Sequence, residues 1–276
     1  ALALAMGLHG CGGGGGEDTV AVASRITAST PAMLTQASAD NYDDNVNGLI
    51  SGATLKRWKD DWVTERAKLG LTGKLIILQV AAGPAGSEYI KPNGTTVFTY
   101  LSPSSEWIQT RNNGVIETQS MVPDGATMDA LLKKYNIDPA RDMIVSAMGT
   151  GSTGNAMAQG RIWYALRYWG LDKKNLAILN GGNQWLDDGV LTPAADFQAT
   201  ASTAPDNGIY SVKSLLVDNT QLQATVEDML RVLPAADTNV KSDGVMIWDA
   251  RSMGQYSAGA MLESGEDTDT DTAGTQ

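Results

Sequence analysis

Residues 142–186, DMIVSAMGTGSTGNAMAQGRIWYALRYWGLDKKNLAILNGGNQWL, constrain the fold more than any other stretch. Residues 142–148 form a short apolar run that breaks at Gly149, which predicts a strand. A loop of Gly, Ser and Thr follows. Ile162, Ala165, Leu166 and Trp169 then recur at i, i+3, i+4 and i+7, which places them on one helix face. Gly170 stands where a helix ends on a left-handed residue, and residues 176–179 (LAIL) predict a second strand buried on both faces. Two strands joined through a helix pair in parallel, so the chain is expected to be α/β.

The loop reads Gly149, Thr150, Gly151, Ser152, Thr153, Gly154, which matches G-x-G-x-x-G between a strand and a helix. Glycines there let backbone N–H groups approach an anion at the positive end of the helix dipole. One reading is a dinucleotide site with Asp172 on the ribose. Asp172 precedes the second strand, however, whereas that fingerprint wants an acid at the strand's carboxyl end.

A second reading starts from the order of elements. An apolar strand is followed by a tight loop, a Trp-rich helix containing Arg161, Gly170, a strand, and then Asn180-Gly181-Gly182-x-x-Trp185-Leu186. This resembles the rhodanese (thiosulfate sulfurtransferase) family. The resemblance implies that residues 149–155 occupy the active-site loop, where a cysteine persulfide is cradled by backbone amides. The cysteine's place falls near Met148, as in the inactive N-terminal domain of a tandem rhodanese. The opening Leu49-Ile50-Ser51, helix, apolar strand 75–80 also follows the family, with Gln79 where its Asp usually lies. The helix over residues 125–135, with Met128, Leu131, Leu132 and Tyr135 at helical spacing, leads on to the central unit.

The inventory of reactive side chains is short. The single Cys, Cys11, and the single His, His9, both lie in the first eleven residues. That excludes an internal disulfide, a Cys/His zinc cluster and any Ser-His-Asp or Cys-His pair in the rest of the chain. Net charge is −11, against a nucleic-acid partner, which needs a basic face. The expected partner is a small sulfur-containing anion, and no cofactor is expected.

Residues 1–16 read as a targeting segment. A short apolar run precedes Leu8-His9-Gly10-Cys11, which resembles a bacterial lipobox, and residues 12–16 are a run of glycine suited to a flexible tether. The resemblance implies lipidation of Cys11 and a lipid-anchored protein of the bacterial cell envelope. The start at Ala1, without Met or a basic segment, reads as an incomplete beginning. Residues 17–48 are expected to be a linker. Within them Asp43, Asn45, Asn47 and Gly48 match the first half of a calcium loop, but Thr54 stands where its bidentate Glu belongs. A Gly/Asn turn before a helix accounts for the same residues.

A single helix is expected over residues 54–67, with Leu55, Trp58 and Trp62 on one face. Residues 81–119 give no clear pattern. Core packing is the expectation for Trp163, Trp169 and Trp185; Arg161 is read either as making an interdomain salt bridge or as joining residues 149–154 in binding the anion. Residues 197–203 suggest an edge strand, and Pro205–Gly208 a turn at a domain boundary. Thr220 is the expected N-cap of a helix carrying Leu222, Val226, Met229, Leu230 and Leu233. Beyond it, the strand 245–248 ends in Asp249-Ala250-Arg251, which resembles the Asp-x-Arg that braces the family's active-site loops; Gln255 stands near the place of a second Arg. Residues 266–272, EDTDTDT, read as a solvated acidic loop. The resulting expectation is a rhodanese-like parallel sheet flanked by helices over residues 49–204. Residues 209–276 would be the incomplete start of a second such domain. The functional expectation is the N-terminal part of a membrane-tethered sulfurtransferase whose catalytic Cys is absent here. The alternative is a non-catalytic lipoprotein that binds a partner or a small anion.

Overall fold

The computed structural model describes residues 45, 48–113, 115–186, 191–217, 219–232 and 247. The chain divides into two compact units, Ser29–Arg231 and Ala1–Ala28 with Val232–Gln276. Of the latter unit, only Val232 and Ile247 are among the described residues. Cys11, Asp43, Asn47, Asp249, Arg251, Gln255 and residues 266–272 lie outside them.

Ser29–Arg231 is built on a five-stranded sheet in the order β1-β8-β7-β2-β4, parallel at each pairing. The strands are β1 (Leu49–Ile50), β2 (Leu75–Gln79), β4 (Val97–Leu101), β7 (Met143–Ala147) and β8 (Leu176–Leu179). Two ribbons flank it: β3 (Tyr89–Ile90) with β9 (Phe197–Gln198), and β5 (Gln109–Asn112) with β6 (Glu117–Met121). The expected α/β class and parallel sheet are therefore present. The central unit has the expected form too, with Ile144 opposite Leu176 and Ser146 opposite Ile178.

Side chains alternate along each strand, so the sheet feeds two cores. Ile76, Leu78, Ile144 and Leu176 join one core. There they meet α3 (Gly125–Tyr135) through Met128, Leu132 and Tyr135, and α4 (Thr153–Tyr168) through Ala158, Ile162, Ala165 and Leu166. Leu75, Ile77, Met143, Val145 and Leu179 turn to the other face. They pack on Leu55 and Trp58 of α1 (Gly52–Asp60) and on Trp62 of α2 (Trp62–Lys68). Each such Leu, Ile or Val contributes about 1.5–3 kcal/mol through burial. Continuous apolar strands are what a sheet covered on both faces requires.

Helix ends follow local chemistry. The Asp124 carboxylate caps α3 through the Thr127 N–H, and Ser152 caps α4 through the Asn155 N–H. At the far end of α4, Gly170 takes φ 106° while the Leu171 N–H reaches back to the Leu166 carbonyl. The expected single helix over residues 54–67 is broken in two. Asp61 adopts φ −143°, ψ 65° and its carboxylate accepts from the Thr64 N–H, so it restarts the helix. Trp58 and Trp62 still share the core, edge to face with ring centroids 5.8 Å apart.

Three further expectations are corrected. Only Phe197–Gln198 of the predicted edge strand is a strand, and a single bridge joins Ser202 to Tyr100. Thr220 opens a short 3-10 turn, whereas the α-helix starts at Val226, behind a reciprocal cap between Thr225 and Asp228. Leu230 of that helix is exposed. Residues 205–208 run as extended chain without the expected turn, and the chain up to Arg231 stays on the same unit. Gly208 N–H donates to the Lys133 carbonyl, Val212 and Leu215 enter the α3–α4 core, and Asn219 donates to the Arg167 carbonyl.

A buried ion pair ties the return segment to α1. Lys59 Nζ lies 3.2 Å from Asp196 Oδ1, and both side chains are over nine-tenths buried. Burial alone would raise the Asp196 carboxyl, but the Thr192 amide and Lys59 hold it below its ordinary value. A depressed native pKa gives stability that is present above the ordinary carboxylate range and is lost as pH falls through the native pKa. Asp196→Ala leaves Lys59 buried without its partner. It should lower unfolding free energy by about 3–5 kcal/mol in urea titrations at neutral pH, and by less in acid.

Candidate functional site

The three loops that meet at the carboxyl end of the sheet make the site. The first follows β2 and runs over residues 80–88. The second is the Gly149–Asn155 segment between β7 and α4. The third follows β8 and runs over residues 180–186, with a 3-10 turn at Asn183–Trp185. In open parallel sheets, this edge is where ligands bind.

Gln79, the last residue of β2, positions the first loop. It is fully buried and uses its whole amide. Nε2 donates to the Ala81 and Glu88 carbonyls at 2.7 and 2.6 Å, and Oε1 accepts the Ile90 N–H at 3.1 Å. A carboxylate here could accept but not donate, so the loop is braced by the neutral amide rather than the Asp of the resemblance.

That first loop holds the second. The Thr150 N–H and Oγ1 both donate to the Ala82 carbonyl, the hydroxyl at 2.6 Å. Gly149 carries φ +72°, and a Cβ there would overlap the Ala81 carbonyl oxygen. The third loop closes on the second from the other side. Asn183 N–H donates to the Gly149 carbonyl at 2.7 Å, and Gly151 N–H donates to Gln184 Oε1 at 3.1 Å. A Cβ at Gly151 would run into the Trp185 ring, and one at Gly182 into the Gly151 backbone. The segment is therefore curled, with Asn155 Nδ2 returning to the Thr150 carbonyl.

Ser152, Thr153 and Gly154 are exposed at the start of the 16-residue α4. Their N–H groups donate to no group among the described residues. First-turn amides of a helix are orphaned in this way and carry roughly half a positive charge between them. Met148 is half-buried at the loop's entry, where the resemblance puts a cysteine.

Other expected residues are placed elsewhere. Arg161 lies eight residues into α4 from Thr153, about 12 Å along the axis, and donates to the Ser120 carbonyl at 2.9 Å. It joins α4 to β6 and does not reach the loop; among the described residues its hydrogen-bond partner is a carbonyl. No Lys or Arg among the described residues bonds to residues 149–155, so the positive potential there is supplied by peptide dipoles. Asp172 caps Lys174 N–H ahead of β8, at the opposite edge of the sheet from Gly149–Gly154. The two halves of the dinucleotide fingerprint do not converge. Asn45 turns inward and donates to the Leu176 carbonyl. Among the described residues, no group of three or more His, Cys, Asp or Glu could hold a metal ion.

Trp185 corrects the core-packing expectation: it is 63% exposed, on the outside of the closed loop. Trp163 and Trp169 are partly buried against the α4 core. Neither Gln184 nor the bracing role of Gln79 was identified from sequence. An amide side chain beside Gly-Gly was the only visible sign of the former. Comparison with known proteins finds no matching family model, curated protein or solved structure.

The glycine contacts make a direct prediction. Gly149→Ala imposes both a left-handed backbone and an overlap with Ala81, so it should cost about 2 kcal/mol or more in chemical denaturation. Gly154→Ala, which meets only open space beyond Ser152 Oγ at 4.0 Å, should change stability little.

Proposed function

We propose that Ser29–Arg231 is a rhodanese-like module of the non-catalytic kind. Its loop, Gly149–Asn155, takes a small sulfur-containing anion such as thiosulfate. The observation that carries this reading is the curled loop itself, set between β7 and α4 with the amides of Ser152, Thr153 and Gly154 unpaired. Met148 supplies no thiol. A persulfide needs a thiolate, which positive surroundings favour, but a thioether cannot be deprotonated.

In the fuller form of the proposal, the module belongs to a tandem, membrane-tethered sulfurtransferase. The sulfur-carrying cysteine would sit in a second domain braced by Asp249 and Arg251. The anchor would be a diacylglycerol on Cys11. Among the described residues, no helix is long and apolar enough to cross a membrane.

Two experiments test the proposal. Thiosulfate added to the 276-residue chain should shift the amide resonances of Ser152, Thr153 and Gly154 saturably, while no thiocyanate forms from thiosulfate and cyanide. Unmoved resonances at tens of millimolar thiosulfate, about the weakest binding worth calling specific, or turnover by this chain, would refute it. Expressed in bacteria with a secretion leader ahead of Ala1, the protein should partition into detergent. Cys11→Ser should remain in the aqueous phase; equal partitioning of the two would remove the lipid anchor.

A further inference from the structure

The segment that returns over the carboxyl end of α4, residues 211–220, borders a cavity of about 270 Å³. We propose that this cavity binds a small, flat, neutral aromatic molecule with one hydrogen-bond donor, of the indole or phenol kind, and that Asn219 receives the donor. The site lies at the opposite end of α4 from Gly149–Asn155 and does not depend on the anion-binding reading.

The walls are fixed by the fold. At the start of the segment, Ser211 Oγ and the Val212 N–H both donate to the Asp129 carboxylate of α3, each at 2.7 Å. At its end, Asn219 Nδ2 donates to the Arg167 carbonyl at 2.8 Å. Between these ties the chain passes so close to Gly170 that a Cβ there would lie 2.9 Å from the Val217 carbonyl oxygen. Trp169 is held as firmly: its Nε1 donates to the Pro123 carbonyl at 2.8 Å, and a Cβ on Gly125 would meet its ring at 3.2 Å. A lining ordered in advance avoids part of the entropy cost of binding.

The lining sets the ligand class. Tyr168 and Trp169 stand edge to face, with ring centroids 5.7 Å apart and planes at 81°. Two rings at that angle suit a third, which can lie on one and meet the edge of the other. Val212, Leu215 and Val217 add aliphatic surface, and none of the lining side chains is charged. The volume exceeds the roughly 150 Å³ that holds benzene and falls just below the roughly 300 Å³ where drug-sized pockets begin. One ring or two fused rings match it.

Asn219 separates this cavity from a merely apolar dent. It lines the cavity and is only 4% exposed. Arg167 takes its Nδ2, while its Oδ1 has no partner among the described residues and is not among their fully enclosed unpaired atoms. In so buried a residue, that oxygen opens onto the cavity it lines. A nearly buried acceptor left unpaired is costly, and a ligand N–H or O–H removes the cost. A fully alkylated ammonium could stack on the rings but brings no hydrogen for Oδ1. At the mouth, Leu216 and Val217 hold apolar surface in water, 99% and 55% exposed, which a bound ring would cover.

Indole and 1-methylindole differ at the one donor and test the proposal on the 276-residue chain. In titrations followed by the Trp169 indole N–H and the Asn219 side-chain amide resonances, indole should saturate with its midpoint at about 1 mM or below. 1-Methylindole should bind about three- to tenfold more weakly, the worth of one neutral hydrogen bond. Asn219→Ala should make the two ligands bind alike, a ratio that a general loss of stability would not produce. Val217→Trp, at a position more than half exposed, fills the cavity with a ring of its own and should abolish indole binding without lowering the urea midpoint. Failure of indole to saturate, or equal affinity of the wild type for both ligands, overturns the proposal. So does tighter binding of choline than of indole, or indole binding that survives Val217→Trp.

Discussion

Backbone-on-backbone packing at the carboxyl edge of the sheet is the constraint on which the site depends. Three loops must approach more closely there than any side chain allows. Gly149 faces the Ala81 carbonyl, Gly151 faces the Trp185 ring, and Gly182 faces Gly151. Gly83 makes the same kind of approach to the Ser87 carbonyl. These contacts turn three separate connections into one hydrogen-bonded layer. The parallel strands bring the loops to the same edge; the glycines let them touch. A parallel sheet alone would leave three independent loops, with nothing to fix the direction of the α4 amides.

The long central unit was legible because its signals are local and agree with one another. A five-residue apolar strand, a helical stripe and a left-handed Gly170 all point to strand–helix–strand. Residues 81–119 were not legible, because β3 and β5 are short and β5 is rich in Thr, Asn and Gln. Their positions are set by distant partners: Tyr89–Ile90 pairs with Phe197–Gln198, and Val97–Leu101 lies against β2. The break at Asp61 was missed for a different reason. Leu55, Trp58 and Trp62 keep helical spacing across it, because a reset helix can still present its apolar residues to the same core.

Three side chains have roles that depend on tertiary surroundings and are not visible in the sequence. Arg161 sits near the loop in sequence, but helical rise carries it to β6. Trp185 reads as a core residue, yet the turn that bears it points the ring outward over Gly151. Gln79 reads as a departure from an acidic position, yet its amide is needed in both senses, as donor and as acceptor. In each case the residue type was visible and its partner was not. Hydrogen bonds to backbone groups distant in sequence leave no periodic trace.

The electrostatics of the loop decide what sort of ligand suits it. The chain carries a net charge of −11, so the long-range field repels anions. Against that field stand unpaired peptide dipoles at one helix terminus, with no Lys or Arg bonded to the loop among the described residues. Dipoles act over short distances and fade within a turn. In the proposed reading, selection there would be by contact: a compact anion whose oxygens or sulfur can reach several N–H groups at once would be favoured over extended polyanions that keep most of their charge in the repulsive field.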